Sequence, residues 1–162
     1  PFETTDLSRE YPEVVRNLSE KFQGWQAEMK AAPALLSEHP VALRTPEGYP
    51  VRLNRNDWKG PATKRWGSQE AHGYWTVEVP EAGSYSFELF FHEPLPGHGS
   101  LNLKVGTEQR EVIVRDTVTQ RFHFDDLPLQ PGQYRLDAWF HCFWPKEVVG
   151  TYGPYDVTIT KD

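Results

Sequence analysis

Two periodicities divide the chain. Tyr11, Val15, Leu18, Phe22, Trp25 and Met29 fall at intervals of 4, 3, 4, 3 and 4. That spacing lines one side of an α-helix with apolar groups and leaves charged and polar residues between them. Pro12 suits the first helical turn, where its missing N–H is no loss, and Glu13 complements the positive end of the dipole. Pro33 stops the repeat. The stripe covers fewer than three heptads, so it is expected to pack on a sheet or another domain rather than in a coiled coil.

Residues 33–50 carry Pro33, Pro40, Pro46, Gly48 and Pro50, which predicts a linker or an extended crossing segment. Beyond it the period falls to two. Trp75, Val77 and Val79 alternate with Tyr74, Thr76 and Glu78. Further alternating runs follow at Tyr85–Phe91, Leu101–Val105, Val112–Val114, Phe122–Phe124, Tyr134–Phe140 and Tyr155–Ile159. Short runs of this kind separated by Gly or Pro predict an antiparallel β-sandwich or jelly-roll-like domain over 51–162. The expected organisation is a mostly β chain with one N-terminal amphipathic helix in 1–32 and a Pro-rich linker over 33–50.

Glu81-Ala82-Gly83-Ser84-Tyr85 echoes Gln130-Pro131-Gly132-Gln133-Tyr134. In each, the Gly is expected to supply a positive φ and the Tyr to be the first inward-facing residue of a strand.

Composition narrows the picture. The 162 residues include 9 Phe, 7 Tyr and 6 Trp, with 14 Pro and 12 Gly for short connections. A net charge of −6 argues against general nucleic-acid binding, which depends on neutralising phosphates. The single cysteine, Cys142, excludes an intramolecular disulfide and a multi-cysteine zinc site. No apolar run reaches the ~18 residues of a membrane span.

Pro1-Phe2-Glu3-Thr4-Thr5-Asp6-Leu7, then Tyr11-Pro12-Glu13-Val14-Val15 and a helix with a late Trp25, resembles the closing segment of sulfatases of the arylsulfatase type. Asn56-Asp57-Trp58, Gly73-Tyr74-Trp75-Thr76-Val77-Glu78-Val79 and Ala82-Gly83-Ser84-Tyr85 resemble a β domain appended to some bacterial sulfatases. There the second strand often continues with Arg, whereas Phe90-Phe91-His92-Glu93 stands here. The resemblance implies a C-terminal piece whose missing partner is the N-terminal catalytic domain, in a periplasmic or secreted enzyme that hydrolyses sulfate esters on carbohydrates. That parent would use formylglycine, made from a Cys/Ser-x-Pro-x-Arg motif, and calcium. Cys142 lies in His141-Cys142-Phe143-Trp144-Pro145 and lacks that motif, so no catalytic residue, cofactor or metal site is expected in this piece. Asp125-Asp126 reads as turn chemistry.

Other chemistry lacks a pattern. No His-x-His occurs among the 6 histidines, and His123, between Phe122 and Phe124, should face away from the core. No Gly-x-Ser-x-Gly elbow is present. Glu78 with Glu88, or Asp137 with Asp156, would be the carboxylate pairs of a glycosidase; alternation makes Glu78 and Glu88 exposed strand residues. The most suggestive cluster is aromatic and basic: Trp58, Lys64, Arg65, Trp66 and His72 in one stretch, and His141, Trp144 and Tyr152 in another, with Trp139 and Phe143 nearby. Sugar sites need flat aromatic faces beside hydrogen-bonding groups, and Lys or Arg would attract a sulfate. Equally, these rings could plug the open end of a sandwich. Three roles stay open: a non-catalytic sulfatase domain that packs on the enzyme or shapes and binds substrate, an autonomous carbohydrate-binding module with Trp58, Trp66 and Trp144 as platforms, or a protein-interaction domain.

Overall fold

The computed structural model describes residues 6–31, 39–44, 48–65 and 71–162, with the backbone alone at 64 and 65. The chain forms two compact units, Pro1–His39 and Pro40–Asp162. In the first, helix α1 (Pro12–Ala31) begins at the expected proline, with Glu13 in its first turn and Lys30 in its last, both favourable to the dipole. No residue of α1 is buried. Its stripe is open to water, with Leu18 61% and Trp25 55% exposed, so the expected packing is not made within this unit.

The second unit is a two-sheet β-sandwich. Its strands are β1 (Val41–Ala42), β2 (Val51–Asn54), β3 (Tyr74–Val79), β4 (Gly83–Phe90), β5 (His98–Val105), β6 (Glu108–Val114), β7 (Arg121–Leu129), β8 (Gly132–Trp144), β9 (Gly150–Tyr152) and β10 (Asp156–Lys161). One sheet runs β1-β3-β8-β5-β6, with β9 also on β8, and the other runs β2-β10-β4-β7. All pairings are antiparallel except the short β1–β3 ladder, where Val41 faces Val77.

Alternation places the core. Trp75, Val77 and Val79 of β3, Leu101, Leu103 and Val105 of β5, and Leu136, Ala138, Phe140 and Cys142 of β8 point inward from the first sheet. Leu53, Tyr85, Phe87, Leu89, Val157 and Ile159 meet them from the second. Burial of such side chains contributes about 1.5–3 kcal/mol each. The Trp75 indole N–H donates to the carbonyl of Asn54 at 2.8 Å. This bond joins a residue of β3 to one of β2, and so links the two sheets while satisfying a buried donor.

Every alternating run read from the sequence coincides with a strand, with Phe91 and Tyr155 just outside β4 and β10. β1, β2 and β9 were not expected; β1 and β2 sit in or beside the Pro-rich stretch, which is therefore partly sheet. Asp125 and Asp126 do not make a turn. The β4–β7 register shifts between Tyr85 and Phe87, which face Leu127 and Phe124. The two aspartates form the resulting bulge in β7, and Asp126 takes φ 57°, a left-handed conformation that Asp tolerates. Gly132 has φ +151°, in the region that favours glycine. Gly83 is not among the positive-φ glycines, which corrects the expectation for that position. Tyr85 is fully buried, whereas Tyr134 is only half-buried and packs at the edge of the core.

Candidate functional site

β8 is thirteen residues long and lies at the centre of the larger sheet, between β3 and β9 on one side and β5 on the other. Because Leu136, Ala138, Phe140 and Cys142 point inward, Asp137, Trp139 and His141 must point to the outer face. The same parity puts Ser100, Asn102 and Lys104 of β5 and Glu111 and Ile113 of β6 on that face. Cross-strand pairing arranges them in rows: Thr151–His141–Ser100–Ile113, then Trp139–Asn102–Glu111, then Tyr74–Asp137–Lys104–Gln109.

Strict alternation would turn Trp144 inward. Instead the β5–β8 register shifts between His98 and Gly99, so that His98 faces Trp144 while Gly99 faces Cys142. Phe143 is the extra residue of a bulge, and the bulge re-aims the following side chain. Trp144 therefore shares the parity of His98, Ser100 and Asn102. Its ring centroid lies 5.0 Å from that of His98, and its side chain is 59% exposed. Gly97 allows the close crossing, since a Cβ there would come within 2.1 Å of the Trp144 carbonyl oxygen.

Below Trp144 the outer face has a polar floor. Asn102 is 5% and Ser100 8% exposed, on the face of the sheet turned away from the sandwich core. The Asn102 Nδ2 donates to the Ser100 carbonyl and to Ser100 Oγ, both at 3.1 Å. At the far end Arg135 grips Asp137 through Nε at 2.8 Å and a terminal nitrogen at 2.6 Å, and its guanidinium lies 3.9 Å over the Tyr74 ring. The hydrogen bond to Asp137 pushes the Arg135 guanidinium above its ordinary value. These charges neutralise each other, and Lys59 Nζ donates to Thr76 Oγ1 at 3.2 Å beside them.

The residues singled out in the sequence separate in space. Trp58 is core: it is 7% exposed, its ring lies 5.5 Å from that of Trp75, and the Arg55 guanidinium sits 4.9 Å over it. A Cβ on Gly153 would come within 2.4 Å of that ring. Tyr152 is also buried, and its hydroxyl donates to the Val148 carbonyl at 2.7 Å. Neither offers a face to a ligand, because inward packing consumed both rings. His141 and Trp144 are exposed, as is His72 on the segment before β3. Trp66 and the side chains of Lys64 and Arg65 lie outside the described residues. Trp139 stands in the sequence only as a neighbour of the aromatic cluster, and Ser100 and Asn102 do not stand in that cluster at all, although an outward Trp between Ala138 and Phe140, and an Asn between Leu101 and Leu103, were there to be found.

The carboxylates do not converge. Asp137 and Asp156 lie in different sheets. Asp156, 2% exposed on its side chain, pairs with Arg52 at 2.5 Å. Glu88 is held by Arg121 and lies 3.5 Å from His123. Among the described residues no group of three His, Cys, Asp or Glu side chains could hold a metal ion. Cys142 is fully buried beneath the sheet, with Sγ 3.5 Å from the Trp144 carbonyl. These residues do not fit a formylglycine and calcium centre. Among the described residues, no helix is long and apolar enough to cross a membrane.

No protein-family model matches the chain, and no curated protein does either. Among solved structures it is similar to a ruminal GH26 endo-β-1,4-mannanase, at 15% identity over 74% of this chain and 27% of that one, with a TM-score of 0.47. It is also similar to the Podospora anserina GH26-CBM35 β-(1,4)-mannanase, at 14% identity over 70% of this chain and 28% of that one, with a TM-score of 0.45. The chain thus spans less than a third of either protein.

Proposed function

We propose that residues 40–162 form a non-catalytic carbohydrate-binding domain with Trp144 as its stacking platform. The observation that carries this reading is the exposed Trp144 indole, braced against His98 at 5.0 Å and turned outward by a bulge. A large aromatic face held open to water loses free energy unless something apolar covers it, and the C–H face of a sugar ring is such a partner, with ring hydroxyls left for nearby polar groups. The separated, paired carboxylates favour binding over hydrolysis. Electrophoresis through gels containing neutral or sulfated polysaccharide tests it. The wild-type chain should be retarded by at least one polymer and Trp144→Ala should not; equal mobility in every gel would sink the reading.

A second reading concerns the protein in which this domain works: the C-terminal part of an exported sulfatase, with the catalytic domain covering α1. The residues from Pro1 to Trp25 carry that resemblance, and the exposed stripe of Leu18, Phe22 and Trp25 supports it. So long an apolar face on one helix calls for a covering surface. The coding sequence upstream of Pro1 decides. A Cys/Ser-x-Pro-x-Arg motif a few hundred residues earlier is expected, and an upstream region without it would remove this parentage.

A further inference from the structure

From the same outer face we infer that the ligand is a stretch of polysaccharide chain bound along β5 and β8, from Trp144 and His98 down to Trp139 and Asn102, rather than a single sugar at Trp144. This rests on the carbohydrate-binding reading and extends it to a specific site and ligand form.

The floor is the first argument. Side chains on the outer face of a two-layer sandwich ordinarily meet water, yet Asn102 is 5% exposed. Its cross-strand partners on that face are Trp139 of β8 and Glu111 of β6, so Asn102 is shielded from water although it lies on the outer side of the sheet. Its amide orientation is fixed, because only the amino end can donate to the Ser100 carbonyl. The carbonyl end, Oδ1, accepts no hydrogen bond among the described residues and is not fully buried. Leaving an acceptor unmet in so enclosed a place is costly unless water or a ligand meets it. Ser100 Oγ accepts from Asn102 and keeps a proton of its own to give. An acceptor and a donor side by side suit sugar hydroxyls, which both give and accept.

The walls are the second argument. Trp139, half-buried, stands beside Asn102, and Trp144 lies five positions further along the same strand, about 17 Å away at the rise of a β-strand. Without the bulge at Phe143, Trp139 and Trp144 would point to opposite faces. With it, two indoles flank a polar floor on one side of the sheet, with His141 and Thr151 between them in the Ser100 row. One sugar ring cannot touch both indoles; a chain of rings can. The Arg135–Asp137 pair closes the far end, with the exposed Lys104 opposite Asp137 in the same row.

Calorimetric titration of the full chain tests the inference. The probes are manno-, cello- and agaro-oligosaccharides and sulfated carrageenan oligosaccharides, each from disaccharide to hexasaccharide. Affinity is expected to rise with length in at least one series, and the series that binds identifies a neutral or a sulfated chain. Trp139→Ala and Trp144→Ala should each weaken the hexasaccharide about tenfold, and Asn102→Ala about fivefold, the loss of one hydrogen bond. If Trp139→Ala fails to fold, Asn102→Ala and Glu111→Ala carry the same test. Length-independent binding that Trp144→Ala abolishes and the floor variants leave intact would overturn the groove while preserving the domain's role. Absence of binding to every probe would overturn both.

Discussion

Tyr85 donates its hydroxyl to the Glu81 carbonyl, 2.7 Å away and four residues back. Tyr134 does the same to Gln130 at 3.0 Å, and Tyr152 to Val148 at 2.7 Å. In each case a glycine stands two residues before the tyrosine: Gly83, Gly132 and Gly150. One local device thus ties β4, β8 and β9 each to the segment that precedes it. Tyr85→Phe keeps the packing and removes the bond, so it should lower stability by about 0.5–1.5 kcal/mol. Urea denaturation checks this through a lower midpoint at unchanged slope.

The same phenol gives a pH signature. Burial, and then the neighbouring Tyr49, push Tyr85 well above the ordinary tyrosine range. In the unfolded chain it ionises near pH ~10. Above that pH the unfolded state sheds a proton that the folded state keeps, so stability must fall as pH rises. Below pH ~10 the contribution is fully present. Wild-type chain should lose stability from pH ~10 upward, and Tyr85→Phe should flatten that fall; parallel profiles for the two would refute the assignment.

Core and surface tryptophans should separate in a stability assay. Trp75 is fully buried and bonded to Asn54, so Trp75→Ala should cost about 3–5 kcal/mol. Trp144→Ala removes an exposed ring and should stay within about 0.5 kcal/mol of wild type. Thermal melts of the two variants check this, and a large loss in Trp144→Ala would make that residue structural.

The sandwich was legible because both sheets bury one face, which imposes period two on their longer strands. The helix was legible from its 4, 3, 4, 3, 4 spacing. β1, with two residues, and β2, with four, are too short to carry a period beside so many prolines. The site was half legible. Trp144 and His141 were singled out as aromatic and basic groups, and both are exposed. Trp58 and Tyr152 were singled out on the same grounds, but their rings fill the core. Residue type alone does not distinguish a platform from a plug. The bulge that turns Trp144 outward depends on a register between β5 and β8, which pairs residues more than forty positions apart. Asn102 became informative only when its burial on an outer face was known.

The most direct test is to follow the indole N–H resonances of the 6 tryptophans in the full chain while titrating the oligosaccharide that binds tightest. Trp139 and Trp144 should shift together with one saturation curve, while the core indoles of Trp58 and Trp75 stay fixed. A titration in which no indole moves, or in which Trp139 and Trp144 stay fixed while others shift, would contradict a sugar-binding outer face.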